Sequence, residues 1–261
     1  MTSHRIFLPI LIAPILACGN TCIIKSSEKT PLTALLMGQL AKDAGFPAGV
    51  VNVLSGYGPD CGASLATHLD VDKIAFTGSS KVGHEIVKYS ANSNLKKVSL
   101  ELGGKSPLII CDDADLEQAA DAAHIGLFLN HGQCCCASSR IFVDAKIHDK
   151  FVEMCVERAK NISIGTDEGK FQGPQVDKIQ FEKILGYIES GKQEGANCVL
   201  GGNRLGTKGY FLEPTIFTNV EDEMKIAKEE IFGPVMQVMK VSLALYNYNG
   251  CIYYMRFLSN R

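Results

Sequence analysis

Tryptophan is missing altogether, and aromatic residues of any kind make up only 8 % of the chain. That removes one type of anchoring side chain and decides little else. The lack of charge imbalance says more. Lysine and arginine total 26 against 28 acidic residues, a formal net charge of −2, so there is no basic footprint for nucleic acid and no polybasic face for an anionic membrane. Low-complexity tracts and internal repeats are lacking too. No C-x-x-C pair with a partner His or Cys suggests a zinc site, and no metal is expected. The ten cysteines are irregularly spaced and three are adjacent, a poor disulfide framework. Reduced thiols are expected, several of them as small core hydrophobes. What is present is ordinary for a globular protein, 46 % hydrophobic and 21 % charged residues. At 261 residues the chain can hold one large domain or two modest ones.

The apolar stretch from Ile6 to Leu16, after Arg5, has the outline of a signal peptide, with small residues at Ala17 to Gly19. Pro9 and Pro14 make it a poor helix, and it is too short to span a bilayer. A secreted destination would also carry many unpaired cysteines into an oxidising compartment. The preferred reading is an ordinary buried segment of a cytoplasmic protein, with a mitochondrial location left open.

From Cys22 onward, strands and helices alternate. Thr21–Lys25 is a β-branched apolar run, hence a strand, and 31–44 follows as a helix opened by Pro31 and ended by Gly45. Val50–Leu54 is the next strand, Gly56–Asp60 a turn, and Ala63–Leu69 a short helix. Lys73–Phe76 is a strand, and Gly78-Ser79-Ser80 opens a helix to Ala91. This rhythm implies a doubly wound, Rossmann-like parallel sheet. Further strands are expected at 106–111, Arg140–Asp144 and Val235–Val241. A helix from Asp115 to about Asn130 is expected to be capped by Asp113. Ile147, Phe151, Val152, Cys155 and Val156 form one apolar helical face, and Ile184, Leu185 and Ile188 face inward on a helix at 177–194. Gly103-Gly104 is the expected junction between a partial cofactor domain at 1–103, its first 12 residues atypical, and a partial α/β catalytic domain at 104–241. Residues 242–261 fit neither.

Three segments could carry chemistry. In Gly132-Gln133-Cys134-Cys135-Cys136-Ala137 a turn delivers cysteines ahead of a short helix, where backbone N–H groups and the helix dipole would lower a thiol pKa; buried inert thiols fit the same letters. Glu101, between Leu100 and Leu102, is expected to have a raised pKa and to serve as a general base, although a partly exposed strand-end glutamate also fits. Phe76–Gly83 is a Gly/Ser turn into a helix, with N–H groups suited to a pyrophosphate. Lys25 and Glu28, just beyond a strand end, sit where such folds place ribose contacts, or form a solvated charge pair.

Together these segments resemble the aldehyde dehydrogenase superfamily. LELGGKSP at 100–107 and FLNHGQCCCASS at 128–139 resemble its glutamate and cysteine signatures, with 34 residues from Glu101 to Cys135. KSSEKTPLTAL at 25–35, AGFPAGVVNVLSGYGP at 44–59 and KEEIFGPV at 228–235 resemble its cofactor segments, in wording closest to the cytosolic, mitochondrial and retinal-type members. The resemblance implies NAD-dependent oxidation of an aldehyde to an acid. Cys135 would be the nucleophile, forming a thiohemiacetal and then a thioester, and Glu101 the base that activates water. Lys25 and Glu28 would hold the adenosine ribose, with Glu28 disfavouring the 2′-phosphate of NADP. Ser79 would contact the pyrophosphate, with Gly58, Gly78, Val82 and Leu102 in the cofactor site. Glu230 would bind the nicotinamide ribose and Phe232 flank the nicotinamide ring. Cys134 and Cys136 would be pocket or packing residues. The partner is a small aldehyde; the family is homo-oligomeric.

The resemblance runs from Pro14 to Val241, while the family's polypeptide is considerably longer. The chain therefore reads as an internal piece, without the oxyanion asparagine, which falls near Thr2, and without segments completing the substrate tunnel and oligomer contacts. Little or no activity is expected of it. Two other readings stay open: an inactive product that binds NAD or a full-length partner, and a cysteine hydrolase pairing Cys135 with His131.

Overall fold

A computed structural model describes residues 12–242. The expectations for the remaining terminal residues, the divergent tail included, lie outside that range. Residues 12–17 are helical despite Pro14, whose carbonyl accepts from the Cys18 N–H at 3.2 Å. The prolyl ring lacks a donor, not an acceptor. Of that helix only Ile12 is buried, so most of the expected burial is not realised.

Strand β1 (Cys22–Lys25) pairs in parallel with β2 (Val51–Leu54) through helix α1 (Leu32–Asp43). A π-helical turn at Gly58–Gly62 and helix α2 (Ala63–Thr67) lead to β3 (Lys73–Gly78). Helix α3 (Ser80–Ala91) then returns the chain to β4 (Lys97–Leu102), parallel to β3. A single doubly wound sheet is implied by the sequence; the described strands form two separate two-stranded sheets.

Residues 103–106 link this region to a five-stranded sheet of order β5-β6-β9-β8-β7. It is built from β5 (Pro107–Ile110), β6 (Arg140–Asp144), β7 (Asn197–Leu200), β8 (Thr215–Thr218) and β9 (Val235–Val241), parallel except for β7 against β8. Helices α4 (Leu116–Phe128), α5 (His148–Lys160), α6 (Lys178–Gln193) and the short α7 (Lys225–Lys228) cover it. One core cluster joins α4 and α5 to the sheet through Leu127, Phe128, Phe151, Ile141 and Val238. The other packs Ile184, Ile188 and Tyr187 of α6 on Phe217, Ile226 and Met239. Helix α4 is capped by Asp115, not Asp113: the Asp115 carboxylate accepts from the N–H groups of Glu117 and Gln118 at 3.0 and 3.2 Å. Asp113 stands too far ahead of the first turn to reach those donors.

Candidate functional site

Apart from Val82, on the first turn of α3, each residue of the first region with a sequence-based role lies at or near the carboxyl end of a parallel strand or in the turn after it. Lys25 ends β1, Gly58 follows β2, Gly78 ends β3 and Leu102 ends β4. Ligands of open α/β sheets bind along that rim. The Lys25 Nζ donates to the Gly56 carbonyl at 3.0 Å and stands 3.8 Å from the Glu28 carboxylate, so one lysine ties two of these turns together. Ser79 is the N-cap of α3, its Oγ accepting from the Val82 N–H at 3.4 Å. That leaves the N–H groups of Ser80 and Lys81, on the first turn of a 12-residue helix, without an acceptor among the described residues. Gly83, one turn on, is buried against Leu102 and Leu100, and a Cβ there would stand 2.9 Å from Leu102 Cδ2. Close packing of α3 on β4 thus fixes where the helix N-terminus points.

The cysteine loop is held from behind. A 3-10 turn at Leu129–Gly132 puts Asn130, His131 and Gly132 in succession at positive φ. Gly132 meets the 233–234 backbone so closely that a Cβ would lie 2.0 Å from the Gly233 oxygen. The Asn130 side chain donates to the Gln133 carbonyl at 2.9 Å, and Gln133 Oε1 accepts from the Val176 N–H at 3.2 Å. His131 Nδ1 accepts the Gly173 N–H at 2.8 Å, which commits that nitrogen to pinning a loop instead of activating a thiol. The helix precedes the cysteines rather than following them, so its dipole does not aid them as the sequence suggested.

The Cys135 thiol pKa is raised, not lowered. Burial is the main cause; neighbouring Cys136 and the Glu230 carboxylate add to it, and the backbone N–H groups of Cys135 and Cys136 oppose it. Cys134 packs against the core cluster, whereas Cys136 is exposed, their sulfurs 3.4 Å apart. Glu230 reaches across to Gly103-Gly104. Its Oε1 accepts from the Gly104 N–H at 3.3 Å, and Gly103 leaves no room for a side chain beneath it. Gly104, Gly132, Cys134, Glu230 and Phe232 line one small cavity. A roomier depression lined by Ile164, Leu205, Lys208 and Phe211 has no cysteine in its lining.

Glu101 lies on β4, opposite Thr77 in register. The expectation that its leucine neighbours desolvate it does not hold: β4 alternates, so Glu101 is exposed while Leu100 and Leu102 turn to the other face.

Sequence reasoning missed Lys105. Burial and the Arg140 charge push its ammonium down to about 7 against the opposing pull of Glu230, and its Nζ donates to Gln237 Oε1 at 2.6 Å. Also missed was Gln180, whose Nε2 donates to the carbonyls of Ile231 and Phe232 at 3.0 and 2.8 Å and supports Phe232 at φ 59°. Their partners lie far off in sequence, so no local signal marks them. Among the described residues no group of three or more His, Cys, Asp or Glu could hold a metal ion, and no helix is long and apolar enough to cross a membrane.

This arrangement defines a class: mixed α/β proteins in which a tightly held cysteine loop meets a loop carboxylate, Glu230, and a Gly-Gly turn at the carboxyl end of a parallel strand. A model of the aldehyde dehydrogenase family matches residues 8–245, and the chain belongs to that family. It is 58 % identical over 231 residues to aldehyde dehydrogenase 1A1 of Gallus gallus and to that of Homo sapiens, matching 88 % of its own length. The chain spans about half the length of these relatives, 45 % and 46 %. Among solved structures it is similar to the NAD+ complex of the Bacillus cereus aldehyde dehydrogenase (TM-score 0.88, 47 % identity, 91 % of this chain and 49 % of that one). It is also similar to an indole-3-acetaldehyde dehydrogenase in complex with NAD+ (TM-score 0.87, 45 % identity, 88 % and 48 %).

Proposed function

We propose that this chain carries the nucleophile, the base and much of the cofactor site of an NAD-dependent aldehyde dehydrogenase, which converts an aldehyde and water to a carboxylic acid. The observation that carries the reading is the meeting of the Cys135 loop with Glu230 and Gly103-Gly104, at the end of the strand that bears Glu101. The residues present fit a dinucleotide. The first-turn N–H groups of Ser80 and Lys81 suit its pyrophosphate, with Gly78, Ser79 and Val82 around them. Lys25 and Glu28 suit the adenosine ribose, with Gly58 exposed beside them. Glu230, Phe232 and Leu102 suit the nicotinamide end. When bound, NAD supplies the hydride acceptor.

Cys135, as thiolate, attacks the aldehyde carbon, and the tetrahedral oxyanion is received by the Cys135 backbone N–H. After hydride loss the acyl group remains on Cys135 as a thioester. Glu101, exposed and therefore in contact with water, takes a proton from the water that cleaves it. The raised Cys135 pKa means that deprotonation must accompany binding, since the thiol is largely protonated at neutral pH.

The test is intact-mass measurement of the chain incubated with NAD and a simple aldehyde, alongside NADH absorbance. With turnover impaired in so short a chain, little steady NADH formation is expected, but a slowly formed acyl adduct on Cys135 that accumulates in Glu101→Gln and is absent in Cys135→Ala is the expected result. No NAD-dependent thermal stabilisation together with no adduct in Glu101→Gln overturns the reading. One observation favours a non-catalytic alternative in which the chain binds a longer partner: Leu32, Leu35, Leu36 and Leu40 leave an apolar stripe of α1 exposed. Size-exclusion chromatography distinguishes the two.

A further inference from the structure

Residues 26–29 follow β1, and residues 230–232 precede β9; about two hundred residues separate them in sequence. One carboxylate joins them in space. Lys29 Nζ donates to Asp177 Oδ2, and the same carboxylate caps α6 through Oδ1, which accepts the Gln180 N–H at 2.8 Å. The Lys29 ammonium is the leading reason that the Asp177 carboxyl is held below its usual range, with the Gln180 N–H second. From there the connection is carried by α6. Gln180 Nε2 holds the carbonyls on both sides of the positive-φ Phe232, and Lys183 Nζ donates to the Glu230 carbonyl at 3.1 Å. At the other end the Lys29 N–H is received by Ser27 Oγ at 3.3 Å, and Glu28 stands beside Lys25.

We propose that the Lys29–Asp177 pair is a positioning device that couples the turn after β1 to the Glu230–Phe232 loop, so that occupation of the adenosine end of the site orders the nicotinamide end. The proposal rests on the NAD reading given above. An isolated exposed ion pair contributes little. Here one partner is already fixed as a helix cap, which removes part of the entropy that usually cancels such a pair, and Asp177 is only about a quarter exposed (side-chain 24 %). Phe232, in a conformation rare for a non-glycine residue, is where a small displacement of α6 would be felt. Lys29 touches neither end of the reacting system; it acts through Asp177 and Gln180.

The probe is AMP, which presents the adenosine end alone, and the readout is hydrogen exchange at the amides of Ile231, Phe232 and Gly233. In the wild-type chain AMP slows exchange there. In Lys29→Met basal exchange is about three-fold faster and the slowing by AMP is lost, while AMP still binds. Asp177→Asn keeps a capping oxygen but loses the charge, and behaves like Lys29→Met. Lys29→Arg restores the wild-type response, and the double variant is no worse than either single one. Slowing by AMP that survives in Lys29→Met, or additive effects in the double variant, overturns the coupling. Should neither AMP nor NAD bind the wild-type chain, the cofactor reading fails. Basal exchange then decides the proposal, and rates unchanged in Lys29→Met overturn it.

Discussion

The Glu230 carboxylate occupies the space that a side chain at position 103 would need: a Cβ on Gly103 would lie 2.1 Å from Glu230 Oε2. Gly132 has a comparable close approach, but to the Gly233 backbone and at φ +71°. The two glycines should therefore respond differently to alanine. Gly103→Ala displaces the end of a flexible side chain, so the melting temperature falls little while NAD affinity drops. Gly132→Ala meets backbone that cannot move aside and imposes left-handed strain, costing at least ~2 kcal/mol in a denaturant titration. Equal losses of stability in both variants would contradict this assignment.

Lys105 makes stability depend on pH. Its ammonium is lowered to about 7 in the folded chain, chiefly by burial, against an unfolded value near ~10.4. Between those values the unfolded chain binds the extra proton, so stability rises with pH. Relative to Lys105→Met, the wild-type chain should gain roughly 2 kcal/mol from pH 7 to 9. Parallel stability curves for the two proteins over that range would refute it.

The strands with distinctive local chemistry were legible in the sequence, among them the β-branched runs of β1 and β6 and the long apolar β9. So were α5 and α6, whose inward residues Phe151, Ile184 and Ile188 are buried as their spacing requires. β7 and β8 were not. Each has four residues, and β8 is buried at every position, which erases the alternation that marks a strand. Asp113 and Asp115 carry the same capping group two residues apart, and only the helix start decides between them. At the site, the cysteine run, Glu101 and the strand-end glycines were visible as residue types, but only the family resemblance singled out Cys135 and Glu101. Lys105 did not, because its state is set by Arg140, Glu230 and Gln237, contributed by three distant segments. Thiol acidity was misjudged for a related reason: burial by the surrounding loop outweighs the local N–H groups.

That raised Cys135 pKa has a direct kinetic consequence. The rate of Cys135 carboxamidomethylation by iodoacetamide, followed by peptide mass spectrometry, should still be climbing above pH ~8.5, where an ordinary thiol is half ionised. Cys155, pushed up to about 12 by burial in the core, should stay unmodified until the chain unfolds. A rate at Cys135 that levels off near neutral pH would mean that the backbone N–H groups dominate after all.

Helix α1 carries Leu32, Leu35, Leu36 and Leu40 at spacings of three and four, all exposed, Leu32 at 73 %. Only Ala34 of that helix is buried. A continuous leucine stripe in water favours association, because each buried side chain gains on the order of 1.5–3 kcal/mol. The 261-residue polypeptide expressed alone should therefore elute from a sizing column as oligomers or aggregates whose fraction rises with concentration. Leu36→Glu places a charge in the middle of the stripe without disturbing the helix, since glutamate is a good helix former. It should shift the elution towards the monomer and reduce ANS fluorescence, with secondary structure unchanged by circular dichroism. An unchanged profile in Leu36→Glu would move the association surface elsewhere, the edges of β1 and β3 that have no partner among the described strands being the next place to look.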